Sequence, residues 1–285
     1  MYPISKHHHS LIPLYLPARK LGKQIKIPKV IYQTFESMIV DKSVSQCVQG
    51  WINLNPEYEY RYYTGADRRD FIEKYFDNRV LAAYDTLYPG AFKADLWRLC
   101  VLYQLGGVYC DIKLFPNHKL DSIIDEDLDA VLVIDLKCPL KRYYEDIHNA
   151  FMAFVPKHPL VLKFIEGIVD NVEKRFYGHH CLTITGPKFL GTVLRDEITK
   201  DNPDFKLEMG NFELPGILNK FKILRHKYDL KLLTHYIFDN DNNIVIYRRN
   251  IHNKDQAGGG SGYKGATGKQ RYEVLFDNRQ IYVNN

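Results

Sequence analysis

The sequence FKADLWRLCVLYQLGGVYCD occupies residues 92–111 and joins a helix pattern, a turn and a strand pattern. Phe92–Leu105 has apolar residues on nearly every face of a helix, which is typical of a buried helix. Gly106 and Gly107 follow, and glycine readily adopts the left-handed conformation that ends a helix. Val108–Ile112 is then predicted to form a strand. This order of helix, tight turn and strand predicts an α/β protein.

The flanking sequence repeats the alternation of strands and helices. Ile27–Gln33 is a nearly continuous apolar run, as in strands that are buried on both faces of a parallel sheet. Such an alternation favours a mostly parallel sheet with helices on both faces. The other predicted elements are strands at Tyr58–Tyr63 and Ala130–Ile134, and helices at Ser43–Asn53, Arg68–Phe76, Pro159–Phe176 and after Thr185-Gly186-Pro187.

The two ends of the chain differ from this central part. Residues 1–25 lack periodicity and contain three prolines, so they are expected to form an N-terminal arm. Residues 26–235 are expected to form the main α/β unit. Residues 236–285 add a predicted hairpin at Tyr236–Arg248, a glycine-rich loop at Ala257–Gly268 and an aromatic closing segment. Because no clean linker separates these parts, they are expected to belong to one domain.

The composition is that of an ordinary globular protein. Hydrophobic residues make up 45% and charged residues 26% of the 285 residues, which excludes disordered, collagen-like and coiled-coil chains. The net charge of +5 is too diffuse to indicate nucleic-acid binding. There is no apolar run of membrane-spanning length and no secretory signal pattern, so a cytoplasmic location is expected. The five scattered cysteines contain no C-x-x-C pair, which argues against a zinc site.

Three charged residues in and after the central helix are the first candidates for a functional site. Asp95 and Arg98 are three positions apart and therefore share a helix face. A charged face on a helix that is otherwise apolar must meet something polar. Asp111 lies in the predicted strand just after the Gly-Gly turn, and ligands of open α/β sheets bind beyond the carboxyl ends of the strands. The turn between helix and strand is expected to bring all three residues to one site.

The central sequence resembles a known enzyme family. The series Lys93–Arg98, Leu102-Tyr103, Gly106–Tyr109 and Asp111 is similar to the signature of glycosyltransferases with a DXD-containing sugar-binding region. That family includes yeast-type initiating mannosyltransferases and the sugar-transferring domains of large clostridial toxins. Weaker matches occur in the family's order within residues 26–200, at Ile27–Thr34, Trp51, Asn55-Pro56, Tyr58–Tyr63, Asn149–Phe151, Pro156, His158-Pro159 and Thr185–Pro187.

The resemblance implies a GT-A-type, Rossmann-like fold and the retaining transfer of a hexose from a UDP- or GDP-sugar to a glycan or another hydroxyl acceptor. It also implies a divalent cation, usually manganese. By position, Asp95, Arg98 and Asp111 would be catalytic, and Asp111 and His252 would bind the metal. The positions implied to contact the donor are Tyr32, Gln33, Asp95, Arg98, Asp111, Lys113 and Asn149.

Lys113 departs from the family pattern. The motif reads Asp111-Ile112-Lys113, so an ammonium group, which cannot ligate a cation, replaces the second carboxylate. Three interpretations stay open. Asp111 could bind a metal together with late residues such as His226, His235 or His252. Lys113 could itself neutralise the diphosphate, or the protein could bind its donor without turnover.

Two other classes of function compete with an enzyme. A sugar- or nucleotide-binding protein that kept the fold without catalysis is the main alternative, because of Lys113. A single-stranded nucleic-acid binder would use tyrosine stacking, but the basic residues are spread along the chain. For the enzyme, replacement of Arg98 by alanine is expected to abolish transfer and to leave the fold intact.

Overall fold

The computed structural model describes residues 9–135, 146–216, 218–229, 231–232, 234–248 and 271–283. The strands in this part of the chain are β1 (His9–Leu11), β2 (Tyr15–Leu16), β3 (Val30–Thr34), β4 (Ile39–Asp41), β5 (Glu59–Tyr63), β6 (Gly107–Cys110), β7 (Leu114–Pro116), β8 (Ala130–Asp135), β9 (Asp146–Ile147), β10 (Phe151–Phe154), β11 (Gly210–Leu214), β12 (Leu218–Asp229), β13 (Thr234–Phe238) and β14 (Ile244–Arg248). The helices are α1 (Lys42–Leu54), α2 (Gly65–Tyr75), α3 (Asn78–Thr86), α4 (Gly90–Leu105), α5 (Leu120–Ile123), α6 (Pro159–Glu173), α7 (Pro187–Asp201) and α8 (Tyr272–Asp277). A short 3-10 helix covers Cys181–Thr183.

Twelve of the described strands form one mixed sheet. Its main path runs β2-β5-β3-β6-β10-β8-β12-β13-β14-β7, with β11 beside β12 and β9 beside β8. β5, β3 and β6 are parallel to one another, and β8 is parallel to β12. The carboxyl ends of β3, β5 and β6 therefore lie at the same edge of the sheet.

The α/β class is confirmed, but the sheet is mixed rather than mostly parallel. β10 lies antiparallel between β6 and β8. A parallel neighbour needs a long crossover connection, usually a helix, and none of the described residues between β8 and β10 is helical. The predicted hairpin at Tyr236–Arg248 is confirmed as β13 and β14, and β14 goes on to pair with β7.

Two apolar clusters cover the two faces of the sheet. One lies under α2, α3, α4, α6 and α7 and includes Trp97, and the other lies under α1 and α5 and includes Trp51. β1 pairs with β4 and β2 adds an edge strand beside β5, so part of the predicted arm belongs to the fold. The predicted glycine-rich loop lies outside the described residues. None of the described helices is long and apolar enough to cross a bilayer.

Gly106 and Gly107 connect α4 to β6 in conformations that other residues rarely adopt. φ is +65° at Gly106 and +105° at Gly107. A Cβ atom would lie 2.7 Å from the Pro156 ring at the first position and 2.9 Å from the Tyr32 ring at the second. Backbone conformation and space thus both require glycine. This turn fixes α4 against the start of β6 and sets the position of the residues that follow.

His158 precedes α6 and makes folding stability depend on pH. Its Nδ1 accepts the Leu160 N–H at 3.3 Å, and its ring packs on Phe154 with 5.0 Å between centroids. Burial lowers the pKa of His158 to about 4, outweighing the attraction of Asp129. The unfolded chain takes up this proton near pH 6.5, and the folded protein does so only near pH 4. The free energy of unfolding should therefore fall by about 3 kcal/mol as the pH drops through that range.

Urea unfolding of the wild type and His158→Asn, at a series of pH values down to about pH 4, checks this prediction. Asparagine keeps an acceptor at the helix start and does not titrate, so the variant should lack this part of the pH dependence. Equal declines in the two proteins would show that another group is responsible.

Candidate active site

Asp111 lies directly after β6, at the carboxyl edge of the parallel strands. Its N–H donates to the Ala150 carbonyl at 2.8 Å, and its own carbonyl accepts the Leu114 N–H at 2.9 Å. The side-chain amide of Gln33 lies 3.4 Å from the same carbonyl. The Asp111 side chain remains 45% exposed. A fixed backbone thus holds a carboxylate that is exposed at the edge of the sheet.

Arg98 joins the predicted site residues in one network. Its side chain is 7% exposed. Nη1 donates to the Asn149 carbonyl at 2.6 Å and to Asp111 Oδ1 at 3.3 Å, and Nη2 lies 3.0 Å from Asp95 Oδ1. Nε donates to the Ala94 carbonyl at 3.2 Å. Most of the guanidinium hydrogens therefore serve protein acceptors, and the predicted contact of Arg98 with a donor phosphate finds no support in this geometry.

Asp95 is held by the side chains of three neighbours. The Thr185 hydroxyl donates to Oδ2 at 2.8 Å, and the Asn149 amide donates to Oδ1 at 3.0 Å, beside Arg98. Burial raises the pKa of Asp95 to about 6, while Arg98 and the two hydrogen bonds favour the charged form and limit the rise. Asp95 is therefore a carboxylate at neutral pH.

Two members of the network are not among the predicted site residues. The Tyr109 hydroxyl donates to Asp111 Oδ1 at 2.7 Å, and the Tyr109 ring lies 4.5 Å from the Arg98 guanidinium. Tyr109 is two positions before Asp111, and alternate residues of a strand share a face. This spacing could have indicated that the two side chains are neighbours. Thr185 belongs to the Thr-Gly-Pro sequence that opens α7, but nothing in that sequence shows that its hydroxyl reaches Asp95.

Tyr32 and Gln33 lie inside the fold, with exposures of 1% and 0%. Gln33 Oε1 accepts the Tyr60 hydroxyl at 3.0 Å, and Gln33 Nε2 lies 3.4 Å from Cys110 Sγ. Burial raises the pKa of Tyr32 well above its ordinary value. Both side chains support the end of β3 from within, so their predicted contact with a nucleobase finds no support in this geometry.

Lys113 lies in the turn that joins Asp111 to β7. Burial lowers its pKa to about 8, and the positive charge of Arg248 acts in the same direction, against the smaller opposing effects of Asp111 and Asp41. Lys113 is therefore mainly protonated at neutral pH. Arg248 ends β14, where its Cα is paired with that of Leu114. The C-terminal hairpin thus brings a second cation to this turn.

The described residues do not offer the ligands that a divalent cation needs. Asp111 Oδ1 already accepts two hydrogen bonds, and position 113 supplies an ammonium group where an oxygen ligand is expected. In the described part of the chain, no group of three or more His, Cys, Asp or Glu side chains is arranged to hold a metal ion. The predicted ligand His252 lies outside the described residues.

The other two late histidines contact each other. His226 Nε2 lies 2.8 Å from His235 Nδ1, and the His148 ring stacks on His226 with 4.0 Å between centroids. This stack of three imidazoles gives no support to a metal bound by Asp111 together with His226 or His235.

Comparison with known proteins gives a family match that includes the three charged residues of this network. Residues 41–129 match the family described as glycosyltransferase sugar-binding region containing DXD motif. Asp95, Arg98, Asp111 and Lys113 all lie within the matched range.

Two curated yeast proteins are among the similar relatives. Inositol phosphoceramide mannosyltransferase 3 of Schizosaccharomyces pombe is 29% identical over 172 residues, which cover 59% of this chain and 44% of that protein. The initiation-specific alpha-1,6-mannosyltransferase of the same yeast is 21% identical over 239 residues, which cover 76% of this chain and 60% of that protein. The chain thus spans about half the length of these relatives.

Among solved structures, the PaToxG glycosyltransferase aligns with 62% of this chain and 72% of its own, at 18% identity and a TM-score of 0.47. The α/β assignment rests on the strands and helices of the described residues. Residues 41–129, which contain Asp95, Arg98 and Asp111, are therefore similar to the sugar-binding region of glycosyltransferases with a DXD motif.

Proposed function

We propose that this protein transfers mannose from a sugar nucleotide to a hydroxyl acceptor, with retention of anomeric configuration. The mannose of the donor is linked to GDP or to UDP. The observation that carries the proposal is the exposed Asp111 carboxylate, which Tyr109 and Arg98 hold in one orientation from the protein side. The family match supports glycosyl transfer, and the names of both yeast relatives support mannose.

The members of the network have different tasks in this reaction. Asp111 contacts the donor, because its Oδ2 is available to accept hydrogen bonds from sugar hydroxyls. Arg98 balances the charges of Asp95 and Asp111 and orients both carboxylates. Asp95 in turn holds the Asn149 amide. Arg98, Asp95 and Asn149 are therefore positioning residues, and Asp111 is the catalytic residue in contact with the substrate.

In the transfer, the acceptor oxygen bonds to the anomeric carbon while the bond from that carbon to the diphosphate breaks. The electron pair of the broken bond stays on the diphosphate oxygen, and the acceptor proton leaves with the diphosphate. Positive charge beside that oxygen lowers the barrier. Retention means that the product has the anomeric configuration of the donor, which proton NMR of the freshly formed product tests.

The names of the relatives point to two acceptor classes for the first experiment. The purified protein is incubated with GDP-mannose, GDP-fucose, UDP-glucose or UDP-galactose, and with either inositol phosphoceramide in micelles or a mannose-terminated oligosaccharide. Release of nucleoside diphosphate, together with an acceptor heavier by one mannose, is the expected result. Donor binding without product across both acceptor classes would favour the alternative of a non-catalytic sugar-nucleotide-binding protein. Absence of any donor binding would overturn the proposal.

The manganese implied by the resemblance stays a prediction. Family members with the complete motif typically use a divalent cation, whereas position 113 supplies a lysine in place of the motif's second carboxylate. Parallel assays in EDTA and in manganese test this prediction.

Thr185 controls the pH at which transfer begins to fail on acidification. Its hydrogen bond favours the charged form of Asp95, so Thr185→Val should raise the pKa of Asp95 above its value of about 6. We expect the acidic limb of the transfer rate to move upward by about one pH unit. The pH–rate profile measures this shift. Thr185→Ser keeps the hydroxyl and should leave the limb in place; an unchanged limb in Thr185→Val would show that Asp95 does not set it.

A further inference from the structure

A departing nucleoside diphosphate needs nearby positive charge, and the network does not supply it from Arg98. The Arg98 guanidinium is almost fully buried, and it donates to Asp95, Asp111 and two backbone carbonyls. A cation that is bound in this way neutralises its own partners. The charge for the diphosphate must therefore come from other residues near Asp111.

Lys113 is placed to supply part of this charge. It lies two positions after Asp111, in a turn that the hydrogen bond from Leu114 N–H to the Asp111 carbonyl closes. Besides burial, the groups that act on it are Arg248, Asp111, Cys47 and Asp41, and Arg248 has the largest effect of the four. Asp41 is buried at the start of α1 and belongs to the interior rather than to the exposed side of the turn.

Arg248 reaches the same turn from the far end of the chain. β14 pairs antiparallel with β7, with Ile246 opposite Pro116, Tyr247 opposite Phe115 and Arg248 opposite Leu114. The rings of Phe115 and Tyr247 lie 5.3 Å apart and support this register. Arg248 therefore adds a second positive charge beside the turn that contains Lys113.

We propose that Lys113 and Arg248 form a diphosphate-binding pair that takes the place of a divalent cation in donor binding. The proposal rests on the proposed function, since it concerns the diphosphate of the same donor. The chemistry is complementary, because an ammonium group and a guanidinium group both bind phosphate oxygens, the guanidinium with two parallel hydrogen bonds. The replacement of the second carboxylate by lysine is then an exchange of one source of positive charge for another.

Calorimetric titration of the full chain with GDP and with UDP, in EDTA and in manganese, tests the pair. The wild type should bind one of the two nucleotides equally well in both buffers. Lys113→Met and Arg248→Met should each weaken binding about tenfold or more. Lys26→Met is the matched control, because Lys26 pairs with Asp129 at the opposite edge of the sheet, before β8 begins; its affinity should equal that of the wild type.

Lys113→Asp gives the sharpest result, because it restores the family's two carboxylates. This variant should lose binding in EDTA and regain it in manganese. Wild-type binding that requires manganese, or a Lys113→Met protein that binds as the wild type does, would overturn the pair and leave the proposed function standing. A wild type that binds neither nucleotide in either buffer would overturn both. Melting temperatures of the variants show whether each of them is folded.

Discussion

Replacement of Arg98 by alanine should lower the free energy of unfolding by about 3–5 kcal/mol, as expected when one partner of a buried ion pair is removed. The change leaves the buried Asp95 carboxylate without its counter-charge, and it removes the donor to the Asn149 carbonyl. Urea unfolding at neutral pH measures the loss. This expected loss differs from the sequence-based expectation that the substitution leaves the fold intact, because the Arg98 side chain lies in the interior.

The double variant Asp95→Asn, Arg98→Ala is the control for this interpretation. A neutral amide needs no counter-charge, so the double variant should recover a large part of the stability lost in the single one. A loss below about 1 kcal/mol in Arg98→Ala would contradict a buried ion pair and would resemble the removal of a surface pair.

Asp111→Asn should show the opposite combination of effects. The side chain is 45% exposed, so the substitution should change the unfolding free energy little. Transfer should fall about a hundredfold or more, because an amide accepts less strongly from donor hydroxyls and disturbs the bonds from Tyr109 and Arg98. The ratio kcat/KM for the active donor measures this loss.

Asp127→Asn is the matched control for Asp111→Asn. Asp127 is an exposed carboxylate that pairs with Lys220, before β8 begins and away from the carboxyl edge. Its substitution should leave kcat/KM unchanged. A loss below about tenfold in Asp111→Asn would contradict the assignment of Asp111 as the donor contact.

The core of the site could be predicted because it depends on local sequence. Asp95 and Arg98 share a helix face through their spacing, and Gly106 and Gly107 turn the chain directly into the strand before Asp111. These relations span less than 20 residues. The apolar pattern of α4 also showed correctly that the helix is buried, and it follows that the charged groups on it must have partners.

The remaining contacts depend on how distant segments pack, which local patterns do not encode. Thr185 reaches Asp95 across 90 positions, and Asn149 reaches Arg98 across 51. Arg248 lies in the hairpin of β13 and β14. The sequence predicts this hairpin, but it does not predict that β14 pairs with β7. The position of β10 between β6 and β8 was not predicted either, because local sequence does not specify the order of strands in a sheet. The predicted roles of Tyr32 and Gln33 stay predictions that this geometry does not support.

The pairing of β14 with β7 has a consequence for biosynthesis. Arg248 and Leu114 are strand partners, yet the ribosome makes β7 long before β14. A nascent chain can therefore close the turn at Gly106 and Gly107 and bring Asp95, Arg98 and Asp111 together before Arg248 has been synthesised. At that stage Lys113 has no arginine beside it. If Lys113 and Arg248 bind the diphosphate as proposed, affinity for the sugar nucleotide appears only after β14 has joined the sheet. Binding of the donor would thus distinguish completely folded molecules from those still being synthesised.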